Sequence, residues 1–123
     1  MRRAPSRVLC SCVNRSTLTA KRNGMYCFVK THNPRPTFHF DMTPEERSIM
    51  EKHIAYWSDK AEKGIAIVFG PVMDPAGVYG VGIYQVKDEQ EMQELIDGDP
   101  ALGLLEYNVF PMPRAVIGKD FRP

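Results

Sequence analysis

One piece of punctuation occurs twice in this chain, and it constrains the fold more than any other feature. Thr43-Pro44-Glu45-Glu46 is a helix start. The threonine can cap, the proline suits the first helical position, and the second glutamate completes a capping box. Asp88-Glu89-Gln90-Glu91 repeats the pattern. A strand-like run precedes each start and another follows each helix. Residues 25–30 are rich in aromatic and β-branched side chains, and residues 65–69 form a short apolar run closed by Gly70-Pro71. Residues 78–86 place Tyr79, Val81 and Ile83 on one side and Gly80, Gly82 and Tyr84 on the other. In residues 104–110, Leu105, Tyr107 and Val109 alternate against Glu106 and Asn108.

The first helix is predicted over 43–63 and stops at Gly64, with Met50, Ile54, Trp57 and Ala61 on its apolar face. The second carries Met92, Leu95 and Ile96 and is broken by Asp97-Gly98-Asp99-Pro100. Between these elements, residues 32–36 hold two prolines and read as an irregular loop, and 72–77 as a turn around Asp74-Pro75. The order β-α-β-β-α-β predicts an α+β, ferredoxin-like domain: a four-stranded antiparallel sheet with two helices on one face. Two helices cover one face only, yet the first two strands are apolar on both. A second copy packed face to face, a homodimer, would cover the other face. Gly80 and Gly82 share a face, where missing side chains would leave a cavity or mark a bulge.

The formal net charge of +1 hides an asymmetry. Residues 1–24 carry six basic residues and no acid; the rest hold ten basic and fifteen acidic residues, a net −5. An acidic folded unit, with no Arg/Lys-Gly-Phe-Gly-Phe stacking motif on its strands, excludes nucleic acid as the expected partner. The longest apolar run is residues 65–69, far short of the roughly 20 that cross a bilayer, so no membrane partner is expected. The basic leader, residues 1–24, reads as a disordered tail, as a targeting segment, or as upstream sequence with Met25 the true start. Cys10, Cys12 and Cys27 are few and odd in number, which fits a reducing, cytoplasmic setting. Cys10-Ser11-Cys12 offers too few ligands for a closed zinc site. Cys27 reads as a buried small apolar residue.

His53 is the most informative side chain. At about 100° per residue from Met50 it falls at about −60°, between Ile49 at about −100° and Ile54 at about +40°. A titratable ring within an apolar arc is either a structural histidine or a general acid/base. Asp99 before Pro100 is either a plain helix cap or the carboxylate that orients such an imidazole. Arg35, in the proline-bracketed loop, can grip a carboxylate or phosphate with its planar fork. His32, His39 and His53 match no standard metal-ligand spacing, so no metal is expected. The glycines form neither a phosphate loop nor a dinucleotide fingerprint, so no cofactor is expected.

Arg35-Pro36-Thr37-Phe38, Asp41-Met42-Thr43, Glu45-Glu46, Met50-Glu51-Lys52-His53, Tyr56-Trp57, Gly70-Pro71-Val72, Asp74-Pro75, Gly77, Gly80 and Asp99-Pro100 occur in that order. This ordered set resembles the YCII (YciI-related) family of small dimeric α+β barrel proteins. The resemblance covers about residues 25–117, leaving 118–123 as a C-terminal tail. It implies a ferredoxin-like protomer, a face-to-face dimer, and a His–Asp acid/base pair carried onto His53 and Asp99. The resulting expectation is a small-molecule enzyme of lyase, isomerase or hydrolase type. In it Arg35 and the Gly70-Pro71 turn help form the substrate pocket and Trp57 walls it. The imidazole is expected at a hollow enclosed by two subunits. The alternative is a non-catalytic homodimer that binds a metabolite or serves as an accessory domain.

Overall fold

Strand β1 (Met25–His32) runs through the middle of a four-stranded sheet. The computed structural model describes residues 24–121. The expectations for the leader, Cys10-Ser11-Cys12 included, fall outside them, as do Arg122 and Pro123. After β1 come a short helix α1 (Phe38–Asp41), the long helix α2 (Pro44–Glu62), β2 (Ala66–Val72), β3 (Tyr79–Val86), α3 (Glu89–Asp97) and β4 (Glu106–Pro111). A single 3-10 turn, Lys119–Phe121, closes the described chain. The sheet order is β2-β3-β1-β4 and every pairing is antiparallel. This is the ferredoxin-like arrangement.

Both principal helix starts form as the sequence dictates. Thr43 accepts from the Glu46 N–H, and the Glu46 carboxylate accepts from the Thr43 N–H, closing the capping box. At α3 only half of the pattern appears. Asp88 accepts from the Glu91 N–H, but the Glu91 side chain reaches one residue further back, to the Lys87 N–H. Helix α1 is absent from the sequence-based expectation, since four residues are too few to show a period.

Period-two alternation sorts β1 cleanly. Met25, Cys27 and Val29 are buried and join Trp57 of α2, Met92 and Ile96 of α3, and Tyr84 and Val86 of β3 in one core. Both long helices therefore cover the same face. Burial pushes the Cys27 thiol up to about 12, with the Glu89 charge adding to the effect. The opposite face is open. Register aligns Val68, Ile83, Phe28 and Phe110 across all four strands, and Val68 and Phe110 are about half exposed.

Two expectations change. Gly70-Pro71 does not end β2, which runs on to Val72. Proline lacks the N–H a central strand needs, but β2 lies at the sheet edge and tolerates it. Helix α2 is also rotated from the face expected of it. Ile54 is 53% exposed and Ala61 is exposed, while Ile49, Met50, His53, Tyr56, Trp57 and Lys60 turn inward. The inward face thus centres on His53 rather than reaching it at one flank. Counting apolar residues alone missed this, because Tyr56, His53 and the Lys60 stem contribute to burial through their apolar parts.

Candidate functional site

Asp99 is the hub. It follows the end of α3, where the Gly98 N–H donates to the Glu94 and Leu95 carbonyl oxygens and the Asp99 N–H to that of Ile96. No helix follows Pro100, so Asp99 caps a turn instead: its Oδ1 accepts from the Ala101 N–H at 2.9 Å. Its other partners come from distant elements. His53 Nδ1 from α2 lies 2.9 Å from both carboxylate oxygens. Trp57 Nε1, one helical turn further along, donates to Oδ2 at 2.7 Å. The Tyr107 hydroxyl, from β4, donates to the same oxygen.

Asp99 is the one buried acid of the described core, 3% exposed. Burial alone would raise its pKa. The hydrogen bonds from His53, Tyr107, Ala101 and Trp57 outweigh that and hold the carboxyl below the ordinary range. The group is therefore ionised near neutrality and can only accept. It follows that His53 Nδ1 carries the proton and donates, and that in the neutral ring Nε2 holds the lone pair. No hydrogen bond to Nε2 occurs among the described residues. The Tyr107 phenol is pushed well above its usual value, by burial first and then by the Asp99 hydrogen bond, so it remains a donor.

Arg35 does grip carboxylates, but they are the chain's own. Its Nε and Nη2 reach Asp41, and Nη1 and Nη2 form a fork on Glu46 at 3.0 and 2.8 Å. The guanidinium also sits 5.3 Å from the ring of Phe38, which is fully buried. Glu46 is pulled down to about 2 by Arg35 and the Thr43 N–H. The cluster fastens the proline-bracketed loop to the start of α2.

The remaining expected residues separate. Trp57 is 2% exposed and holds Asp99 rather than walling a pocket. Gly70 and Pro71 lie on opposite faces of β2, and only Pro71 shares the register row of Gly80, Thr31 and Tyr107. His32 Nε2 meets Asn108 Oδ1 on the open face, so it and His53 do not converge. Among the described residues no group of three or more His, Cys, Asp or Glu side chains is placed to hold a metal ion. The His53–Asp99 pair lies between α2, α3 and the sheet, on the face opposite the apolar row. A second copy over that row would not enclose it, which corrects the expected hollow between subunits. Tyr107 and the Ala101 N–H were missed. A tyrosine alternating with Leu105 and Val109 is a signal for the former, since a buried phenol needs a partner.

A ferredoxin-like α+β domain in which a half-buried histidine meets a buried aspartate between helices and sheet defines the class. The model of the YCII-related domain matches residues 25–113, and the chain belongs to that family. No curated protein matches the chain. Among the described residues no helix is long and apolar enough to cross a membrane.

Proposed function

We propose that the protein is a small-molecule enzyme that moves a proton through His53, with Asp99 as the residue that orients it. The observation that carries this reading is the asymmetry of the imidazole. One nitrogen is fixed by an ionised, buried carboxylate, and the other has no partner among the described residues. Such a ring accepts a proton at Nε2 while Asp99 stabilises the imidazolium that forms. The same nitrogen can then return the proton to a different atom, which is the basis of isomerase, lyase and hydrolase chemistry alike. Trp57, Tyr107 and Ala101 are positioning groups, because they touch Asp99 rather than a substrate.

The proposal includes a homodimer. The row Val68, Ile83, Phe28 and Phe110 is a continuous apolar band across the sheet, with Phe28 and Phe110 rings 6.1 Å apart. A face-to-face copy removes it from water. Sedimentation velocity is expected to give a dimer that Val68→Glu converts to monomer; a wild-type monomer rejects this part.

Turnover found in a screen of small carbonyl, ester and enol compounds is expected to fall about 100- to 10,000-fold in His53→Asn. Binding without turnover, indifferent to His53→Asn, would return the chain to the metabolite-binding or accessory reading.

A further inference from the structure

The sequence places Gly80 and Gly82 on one face of β3, and the register shows it to be the face of the His53 site. The space above each glycine holds a hydroxyl. A Cβ on Gly82 would overlap the Tyr84 hydroxyl oxygen, and one on Gly80 would overlap Thr31 Oγ1. Tyr84 thus lies back along its own strand over Gly82, while Thr31 leans across from β1 over Gly80. Two residues along a strand is roughly 7 Å, which sets the spacing of the two hydroxyls.

Neither hydroxyl has a hydrogen-bond partner among the described residues, and although Tyr84 is only 5% exposed, its oxygen is not among the fully enclosed unpaired atoms, so it meets accessible space. A hydroxyl that reaches accessible space from an otherwise enclosed ring is available to donate to a bound molecule. Both residues adjoin the groups that hold Asp99. The Tyr84 and Trp57 rings lie 4.7 Å apart, and Thr31 pairs with Tyr107 across β1 and β4. The two hydroxyls and the imidazole therefore belong to one region between helices and sheet.

We propose that Thr31 and Tyr84 are substrate-binding residues of the His53 site, and that their hydroxyls receive two oxygen acceptors of an uncharged carbonyl compound. This rests on the proton-transfer reading of His53. The choice of an uncharged ligand follows from the charges nearby. Asp99 is ionised, the Arg35 guanidinium is engaged by Asp41 and Glu46, and Lys60 packs over Tyr56 and reaches Asp59. No cation of this set is left to pair with an anionic substrate. Burial, and then the Asp99 charge, keep the Tyr84 phenol protonated and therefore a donor.

The test uses the full chain and cyclohexane-1,4-dione, an uncharged enolisable molecule with two opposed carbonyl oxygens. Titration is followed by NMR at the Tyr84 ring carbon bearing oxygen and at the His53 imidazole. The wild type is expected to bind, and Tyr84→Phe and Thr31→Val each to weaken binding about 3- to 10-fold. In the absence of the dione, Tyr84→Phe is expected to unfold at the same urea concentration as wild type or a higher one. Absence of binding to the wild type, unchanged affinity in both variants, or a clear loss of stability in Tyr84→Phe overturns the proposal. Exchange of the dione α-protons with D2O separates the two readings. Binding that depends on both hydroxyls without exchange sinks the acid/base role of His53 alone. Exchange that is indifferent to both hydroxyls sinks only the assignment of Thr31 and Tyr84.

Discussion

The molecule holds two carboxylate networks built from similar parts, and they behave differently. At the surface, Arg35 binds Asp41 and Glu46 through its whole fork. Inside, Asp99 gathers His53, Trp57, Tyr107 and Ala101. In the first network the cation is saturated by partners of its own chain. In the second the carboxylate is saturated, and the base beside it keeps one nitrogen unengaged among the described residues. The difference teaches that unassigned hydrogen-bonding capacity, rather than charge, marks the candidate site. Arg35 carries a full positive charge and serves as a fastener.

Substitutions should break this contrast in a definite order. His53→Asn is expected to have the largest effect on turnover, at the factor given above, with little change in folding. Asp99→Ala should have the largest effect on stability, about 2–4 kcal/mol in urea denaturation, because it strands the Trp57, Tyr107 and Ala101 donors in a buried place. A loss under about 1 kcal/mol would show that these donors find other partners.

Arg35→Gln should destabilise less than Asp99→Ala in the same assay, and added salt should shrink the difference from wild type, since this network is solvent-screened. The sign of the pH effect is the same for both networks. Asp99 and Glu46 are held below their unfolded values, so each contributes stability that is fully present above the unfolded pKa and is lost as pH falls through the folded one. For Glu46 that window runs from about 4.5 down to about 2. Acid titration of Arg35→Gln should therefore show a flatter loss than wild type across it. An identical acid profile would mean that the pair is not formed in solution.

The smallest expected effect is none. Cys27 is fully buried with its thiol pushed up to about 12, so peptide mapping after treatment with a maleimide at neutral pH should find it unmodified in the folded protein. Labelling of Cys27 without denaturant would show that β1 opens readily.

Much of the fold was legible because its signals are local. The Thr43 and Asp88 caps, the Gly64 stop and the alternation in β4 each act within a few residues, whereas β1, apolar on both sides, showed its inward set Met25, Cys27 and Val29 only in the structure. The face of α2 was less legible. Its inward side mixes His53, Tyr56 and Lys60 with Trp57, and a period counted on apolar residues drifts toward Ile54, which is half exposed. Gly70-Pro71 misled for a related reason. The pair looks like a strand end until β2 is known to be an edge.

His53 and Asp99 stood out in the sequence as residue types, one by its place on a helix and both through family resemblance. Their being within hydrogen-bond distance did not, since they are 46 residues apart. The chain by itself determined the order of the four strands and two long helices, the caps of those helices, and the alternation of β4, because caps and pleats are short-range physics. Only the tertiary structure decided that α2 from one half and β4 from the other deliver their donors to a single carboxylate. Hydrogen-bond complementarity between distant segments depends on packing, and no local pattern encodes it.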